Sequence, residues 1–294
     1  MATGTGKFSR LLNKLKIDTK EFQSHSGEQY KEKTIQNWSA DPCGSNYSEK
    51  AFLSREYFDE IEKHRYETHP WILKAIQSFD LTGKNVLEIG CGMGTDHLSL
   101  ARRGGVMHGI DLIPKNIEIT RERFRLFDKE TRLTQGDAEN LPYPDNSMDF
   151  VYSFGVLHHS PDTEKTINEI HRVLKPGGQC YVTVYHKHSI FFWWTTFLWN
   201  FILRGGWRQR TLQEQLSLIE YPNHNPDLVT RLYRKKEFKN YFKPFSRVNA
   251  SIQHLIPADM AHLDSLFRNP LKPTPALNRL GQWFGWYIAI RAIN

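Results

Sequence analysis

The chain has 294 residues, of which 39% are hydrophobic and 24% are charged, as expected for a globular protein with a large core and not for a disordered or collagen-like chain. It contains no run of about 18 uncharged apolar residues, and its first residues lack the apolar stretch of a secretory signal. The three cysteines, Cys43, Cys91 and Cys180, are widely separated and fit no metal-binding spacing, which predicts reduced thiols, a cytoplasmic protein and no metal site.

The net charge of +7 is unevenly distributed along the chain. Residues 186–294 carry 15 basic and 6 acidic side chains, a net charge of +9, whereas residues 36–185 carry 17 and 22, a net charge of −5. A basic surface attracts an acidic substrate, an anionic membrane or nucleic acid. A basic surface that binds no partner and is simply solvated has the same composition. The charge therefore leaves these alternatives open.

The first part of the chain has a helical pattern. Between Ser48 and Ser78 the apolar residues recur at helical intervals, and Pro70 interrupts the run. We expect residues 1–79 to form a helical cap that precedes a larger domain of residues 80–294.

From Asn85 onward strand-like and helix-like segments alternate. Helices are expected at 95–104, 114–128 and 163–178, the last ended by Pro-Gly-Gly. Strands are expected at 85–90, 106–111, 132–137, 148–155 and 179–187, with two more near 244–256 and 283–293. Such alternation predicts βαβ units with right-handed crossovers, and therefore an α/β fold with a doubly wound parallel sheet.

The stretch "NVLEIGCGMGTD" joins the first strand to its helix through three glycines. Gly90, Gly92 and Gly94 follow Glu88 in the spacing E-x-G-x-G-x-G. Glycines at such a turn allow a tight bend and let a ligand approach the backbone. A dinucleotide-binding loop would read G-x-G-x-x-G, so the third glycine comes one residue too early for that class.

This spacing resembles the first motif of class I S-adenosylmethionine-dependent methyltransferases. Three further motifs follow in order: Asp111 after the second strand, "QGDAENLPYPDNSMDFVYS", and "SFGVLHHSPDTEKTINEIHRVLKPGG". The whole run, Asn85–His186, is similar to the branch that includes ubiquinone and menaquinone methyltransferases. The resemblance implies a seven-stranded Rossmann-like sheet with an antiparallel last strand, and S-adenosylmethionine as the cofactor.

The same resemblance implies the roles of individual residues. Asp111 is expected to accept both ribose hydroxyls, Asp137 the adenine amino group, and the backbone amide of Ala138 to face a ring nitrogen. Helix caps are the alternative for both aspartates, and a structural strand residue is the alternative for Glu88. Asp96 either caps a helix or touches the amino end of the cofactor. The full predicted cofactor set is Glu88, Gly90, Cys91, Gly92, Gly94, Thr95, Asp96, Asp111, Leu112, Asp137, Ala138 and Phe154.

Methyl transfer from a sulfonium needs a base only when the acceptor arrives protonated. His158 and His159 follow the fourth strand, whose end faces the methyl group in this family, and they are the candidate catalytic residues. The alternative is that the two histidines only shape the turn.

The substrate side is expected to include an insertion at about residues 188–243, which is rich in aromatic residues. Residues 188–210 fit a lid over a small molecule, a buried core helix with a dimer contact, or an interfacial helix with arginines for anionic head groups. The basic amphipathic segment at residues 7–17 also suits a peripheral membrane protein. Candidates for a lid over the sulfonium are Tyr30, Trp38, Tyr47 and Tyr66.

Together these patterns predict methyl transfer to a small-molecule acceptor, ranked first as an intermediate of a specialised metabolite. A lipid or quinone at a membrane surface is the second alternative. Nucleic acid or protein ranks third, because "SFGVLHH" replaces the proline-containing tetrapeptide that clamps a flipped base. A non-catalytic scaffold and the formation of oligomers remain open.

Overall fold

We describe the fold from a computed structural model, which covers residues 27–40, 42–220, 230–263 and 275–294. The amphipathic segment predicted at residues 7–17 lies outside these ranges. No helix within them is long and apolar enough to cross a bilayer.

Helices α1 (Gly27–Ala40), α2 (Arg55–Thr68) and α3 (Pro70–Gln77) precede the sheet. Ser54 caps α2 by accepting a hydrogen bond from the Tyr57 amide at 3.1 Å. The predicted break occurs where expected, since proline lacks the amide hydrogen that would continue α2 and suits the first turn of α3. Ile72 and Ile76 of α3 are fully buried in the main core.

Seven strands form one sheet in the order β3-β2-β1-β4-β5-β7-β6. Their bounds are Asn85–Ile89, Val106–Asp111, Thr131–Gln135, Met148–Phe154, Leu174–Tyr185, Arg247–Gln253 and Tyr287–Ile293, for β1 to β7. Strands β1 to β5 pair in parallel. Strand β7 is antiparallel to β5, because Gly177 bonds to Asn294 at one end of the pair and His186 bonds to Trp286 at the other. The predicted fold is therefore confirmed.

The crossover helices are α4 (Thr95–Ala101), α5 (Pro114–Leu126) and α6 (Thr163–Val173). The strand order reverses between β1 and β4, which is the point where ligands bind in open α/β sheets. The carboxyl ends of β1, β2 and β4 therefore define the edge on which a site is expected.

The chain divides into two compact units. The first contains residues 31–184, 235–251 and 289–294, and the second contains residues 185–234 and 252–288 with the start of α1. The helical cap of residues 1–79 and the domain of residues 80–294 stay a prediction. Helices α2 and α3 belong to the first unit. The apolar face of α3 joins the core that contains β1 and β4, and α2 packs against Met93 of the glycine loop and Ile119 of α5.

The second unit has its own aromatic core. The second unit contains the π-helix Phe191–Leu203, α7 (Leu212–Glu220) and α9 (Pro275–Phe284). Helix α8 (Lys235–Asn240) lies between α7 and α9 in the sequence and belongs to the first unit. Trp286 stacks on Tyr185 with ring centroids 4.3 Å apart and contacts Phe191 at 4.8 Å. The π-helix buries Phe192 and Phe201, as the core-helix alternative predicts, but leaves Trp193 47% exposed.

Gly109→Ala should destabilise the first unit. A Cβ at this β2 position would lie 2.6 Å from the Cys91 sulfur and 2.7 Å from Leu133 Cδ2, so the core must shift at a cost of about 1–3 kcal/mol. Urea unfolding should show a lower midpoint at an unchanged slope. Gly27→Ala is the matched control, because its Cβ meets nothing within 4 Å, and equal midpoints for the two variants would contradict the prediction.

Candidate functional site

The loop between β1 and α4 has the geometry that its glycines predict. Gly90, Gly92 and Gly94 all have positive φ, at 79°, 54° and 70°, which is costly for any residue with a Cβ. A Cβ at Gly90 would also lie 2.2 Å from Val156, whereas one at Gly92 would meet nothing within 4 Å. The backbone at Gly92 therefore borders open space that a ligand can enter.

Asp111 lies at the carboxyl end of β2 and fastens the glycine loop to the next crossover. Its Oδ2 accepts the Gly92 amide at 2.9 Å, and its Oδ1 accepts the Ile113 amide at 2.9 Å. The Asn116 side chain lies 3.2 Å from both oxygens. Burial raises the pKa of Asp111, and the bonds from Gly92 and Ile113 oppose that shift. The predicted ribose acceptor thus lies beside the glycine loop.

Asp137 follows β3 and is engaged by a residue from α1. The Lys31 ammonium donates to Asp137 Oδ2 at 2.5 Å and to Glu139 Oε2 at 2.9 Å. Burial disfavours the ammonium charge, but the two carboxylates together raise the pKa of Lys31. Glu139 also accepts hydrogen bonds from Ser160 and the Asp162 amide. The predicted adenine contact is therefore part of a wider polar cluster.

Asp96, in the first turn of α4, is a buried carboxylate with a paired cation. Arg65 of α2 donates to its two oxygens at 2.7 and 2.5 Å, the bidentate geometry that suits a guanidinium. Tyr152 of β4 donates at 2.7 Å, and the Tyr66 hydroxyl lies 3.1 Å away. Burial raises the pKa of Asp96, but Arg65 outweighs burial and holds that pKa below the ordinary carboxyl value.

Glu88 directs its carboxyl group to a histidine of α4. Its Oε2 lies 2.9 Å from His97 Nδ1, and His97 Nε2 lies 2.7 Å from the Thr131 hydroxyl. Burial raises the pKa of Glu88 well above the ordinary value and lowers the pKa of His97 to about 3. A protonated Glu88 that donates to neutral His97 satisfies both shifts. The cofactor role of Glu88 stays a prediction.

Glu88, His97 and Cys91 also form a group in which three potential metal ligands lie within 4.8 Å of one another. All three side chains are buried, and the imidazole nitrogens already have hydrogen-bonding partners. The Cys91 sulfur lies 3.8 Å from the Glu88 and Ile110 carbonyls, and burial raises its pKa well above the ordinary thiol value.

The remaining predicted cofactor residues lie along the same edge. The Thr95 hydroxyl accepts a bond from the buried Arg123 at 2.8 Å. The Phe154 ring lies at the end of β4, 4.6 Å below the Arg65 guanidinium. Leu112 and Ala138 are half-buried and immediately follow Asp111 and Asp137.

The two candidate catalytic histidines lie in a 3₁₀ turn after β4. His158 is fully buried, and its ring centroid lies 4.2 Å from that of the half-buried His159. Trp38 of α1 meets the edge of His159 at 6.2 Å. The turn places both rings after β4, as the sequence predicts, and their role as a base stays a prediction.

The lid candidates have different surroundings. Tyr66 lies 2.6 Å from the Ser99 hydroxyl, within the Asp96 cluster. Tyr47 stacks on His64 at 3.8 Å while remaining 58% exposed. Tyr30, of the second unit, is buried. No single aromatic residue is thereby selected as the lid.

Sequence reasoning did not identify Arg65, Lys31 or Tyr152 as site residues. Arg65 and Asp96 are 31 positions apart, and Lys31 and Asp137 are 106 positions apart. No local spacing indicates such pairs. The one available signal is that a carboxylate on a buried helix requires a cation from elsewhere.

The comparisons with known proteins identify the domain that carries this loop. Residues 87–182 match a family model described as a methyltransferase domain. The chain contains a class I S-adenosylmethionine-dependent methyltransferase domain. This confirms the family that the four motifs indicate, and S-adenosylmethionine as the cofactor of the domain.

Individual relatives agree with this assignment. The chain is 38% identical over 134 residues to a fatty-acid O-methyltransferase of Mycolicibacterium smegmatis, a match that covers 45% of this chain and 48% of that protein. It is 28% identical over 222 residues to a demethylmenaquinone methyltransferase of Symbiobacterium thermophilum, covering 65% of this chain and 86% of that one. Relatives matched at 35% identity or more are covered over only 28% to 48% of their own length.

A solved structure shows the same fold. It is a chain from the complex between the Haloferax volcanii Trm112 methyltransferase activator and a methyltransferase. The TM-score is 0.53 at 19% identity, with 88% of this chain and 96% of that chain covered. The methyltransferase domain thus has both the sequence motifs and the architecture of its family.

The glycine loop and the aspartates after β2 and β3 fit S-adenosylmethionine as the cofactor. A ligand approaching the open side of Gly92 would meet backbone without a Cβ in the way. The carboxylates of Asp111 and Asp137 follow β2 and β3, the next two strands along the chain, where they can accept hydrogen bonds from hydroxyl and amino groups.

Arg65→Ala should destabilise the domain by roughly 3 kcal/mol, the low end for breaking a buried pair, because Arg65 keeps 27% exposure while Asp96 has 3%. The loss in free energy of unfolding should be largest at pH 7, where Asp96 is ionised and unpaired in the variant. It should become smaller on acidification, because Asp96 of the variant then takes up a proton and a neutral carboxyl group needs no cation. Urea unfolding between pH 4 and 7 measures it. Lys63→Ala, on the same helix with 72% exposure, is the control, and a loss independent of pH would contradict the role of the ion pair.

His97 should remain neutral from pH 7 down to about pH 4, because burial lowers its pKa to about 3. Its proton should reside on Nε2, since Glu88 donates to Nδ1. Long-range ¹⁵N–¹H correlation spectra measure both the charge and the tautomer, and the His97→Gln variant assigns the signal. Titration near the ordinary imidazole pKa of about 6.5, or a proton on Nδ1, would show that Glu88 is ionised instead.

Proposed function

We propose that the chain transfers a methyl group from S-adenosylmethionine to a small-molecule acceptor by in-line displacement. The observation that carries this proposal is the arrangement along one sheet edge. Three glycines with positive φ lie between β1 and α4, and Asp111 and Asp137 follow the next two strands. Glu88, Asp96 and Phe154 lie along the same edge.

Bound S-adenosylmethionine supplies a methyl group that its sulfonium charge already activates. The chain's own task is then to hold the acceptor in line with that group and to keep water out. In this proposal Asp111 accepts the ribose hydroxyls, Asp137 accepts the adenine amino group, and the Ala138 amide faces the adenine ring. Asp137 exchanges its contact with Lys31 for the contact with adenine.

His158 and His159 are proposed to accept a proton when the acceptor arrives as a hydroxyl or an ammonium. Support comes from their position directly after β4, at the reversal of strand order. A neutral imidazole is the side chain best suited to take a proton near pH 7.

The acceptor is proposed to be an intermediate of a specialised metabolite. The second candidate is a lipid or quinone at a membrane surface. It is favoured by the exposed Trp193 of the π-helix and by Arg204, which directly follows that helix. The relatives named as a fatty-acid O-methyltransferase and a demethylmenaquinone methyltransferase also favour it. Methylation assays with a long-chain fatty acid and with a water-soluble phenol separate the two candidates.

Calorimetric titration with S-adenosylmethionine and S-adenosylhomocysteine tests the cofactor role of Asp111. We expect micromolar binding that Asp111→Ala weakens by about tenfold or more, equivalent to roughly 1.4 kcal/mol. Asp111→Asn, which keeps an acceptor for one backbone amide, checks that any loss is not a folding defect. Asp80→Ala, an exposed aspartate before β1, is the control.

The absence of binding by a folded wild-type protein would overturn the proposed activity in favour of a non-catalytic scaffold. Equal binding by the wild type and by a folded Asp111→Ala protein would remove Asp111 from the site while leaving the activity itself intact.

A further inference from the structure

Helix α9 of the second unit presents an apolar face that the described part of the chain leaves largely exposed at Trp283 and partly exposed at Leu280 and Phe284. Leu280, Trp283 and Phe284 are 44%, 71% and 44% exposed. Their spacing of i, i+3 and i+4 places them on one side of the helix. The helix is held by another side, because Gly281 is buried and its Cβ would lie 3.1 Å from the Leu255 side chain.

Exposed apolar side chains are concentrated in this unit. Among the described residues, those that are both large and exposed are Tyr47, Phe52, Val106, Trp193, Leu203, Leu280, Trp283 and Phe284. The last five belong to the second unit, which is the smaller one. Three consecutive members of one helical face form a patch, and patches of this kind mark contact surfaces more often than scattered residues do.

The net positive charge of the second unit favours an anionic partner. Helix α9 contains no acidic residue, and Arg279 is exposed beside Trp283. Across the described second unit the basic residues are Lys187, Arg204, Arg208, Arg210, Arg231, Arg234 and Arg279, and the acidic ones are Glu28, Glu214, Glu220 and Asp259. Asp259 is buried, so it contributes little to the surface.

We propose that α9 docks the protein on an anionic lipid bilayer. Leu280, Trp283 and Phe284 enter the boundary between head groups and acyl chains, and Arg279 remains at the level of the phosphates. Tryptophan and arginine suit that boundary because each combines an apolar body with a polar end. A second copy of this chain is a poorer occupant, since two basic surfaces repel each other.

This inference goes beyond the proposed methyl transfer and does not depend on it. If the acceptor is a lipid or quinone, docking through α9 brings the protein to the phase in which such an acceptor dissolves. If the acceptor is water-soluble, docking through α9 holds the protein at the membrane and has no part in reaching the acceptor.

Co-sedimentation with vesicles tests the proposal on the full chain. Vesicles of phosphatidylcholine with about one third phosphatidylglycerol should bind the protein, and vesicles of phosphatidylcholine alone should bind it more weakly. The double variant Leu280→Ser/Trp283→Ser should weaken binding by about tenfold or more. Phe52→Ser is the matched control, because Phe52 is 51% exposed in the first unit.

Fluorescence identifies the inserting residue. Adding anionic vesicles should shift the tryptophan emission of the wild type to shorter wavelength. Trp283→Phe should retain vesicle binding and lose most of that shift, because phenylalanine keeps the apolar face without the fluorophore.

Unchanged binding by the double variant, or no binding by the wild type, would overturn the proposal. A dimer that the double variant dissociates in sedimentation velocity would assign the patch to a second copy and overturn it as well. Titration of the double variant with S-adenosylmethionine should match the wild type, so that failure of docking and failure of the proposed activity are distinguished.

Discussion

The buried ion pair between Arg65 and Asp96 joins the parts of the methyltransferase domain that form its site. Asp96 lies in the first turn of α4, directly after the glycine loop, and is 3% exposed. An unpaired carboxylate at that depth would cost several kcal/mol. Arg65 brings α2 to this position and Tyr152 brings β4. The Asp96 carboxylate thus links the start of α4, helix α2 and strand β4.

The carboxylates of Asp111 and Asp137 already have hydrogen-bonding partners within the chain. Asp111 accepts bonds from backbone amides, and Asp137 accepts a bond from Lys31. A ligand that bonds to Asp137 must displace Lys31 from that carboxylate. The ligand therefore gains less binding free energy than the new hydrogen bond alone would supply. Helix α1, which carries Lys31, is therefore linked to the cofactor side of the domain.

The second unit follows a different physical principle. Its core is made of stacked aromatic rings such as Tyr185 and Trp286, and its surface retains tryptophan and leucine side chains that water disfavours. A unit that packs aromatic residues inside and also exposes them outside is suited to a partner that is itself apolar at its surface. The proposed bilayer contact supplies such a partner.

Local patterns in the sequence determined the succession of strands and helices, the glycine loop, and the positions of Asp111 and Asp137 after their strands. Each depends on residues within a few positions of one another, because helical and strand periodicity and turn geometry are local. Tertiary structure alone decided that Arg65 neutralises Asp96, that Lys31 meets Asp137, and that α2 and α3 join the sheet unit. These pairings depend on which distant side chains burial brings together, and burial is a property of the packed chain.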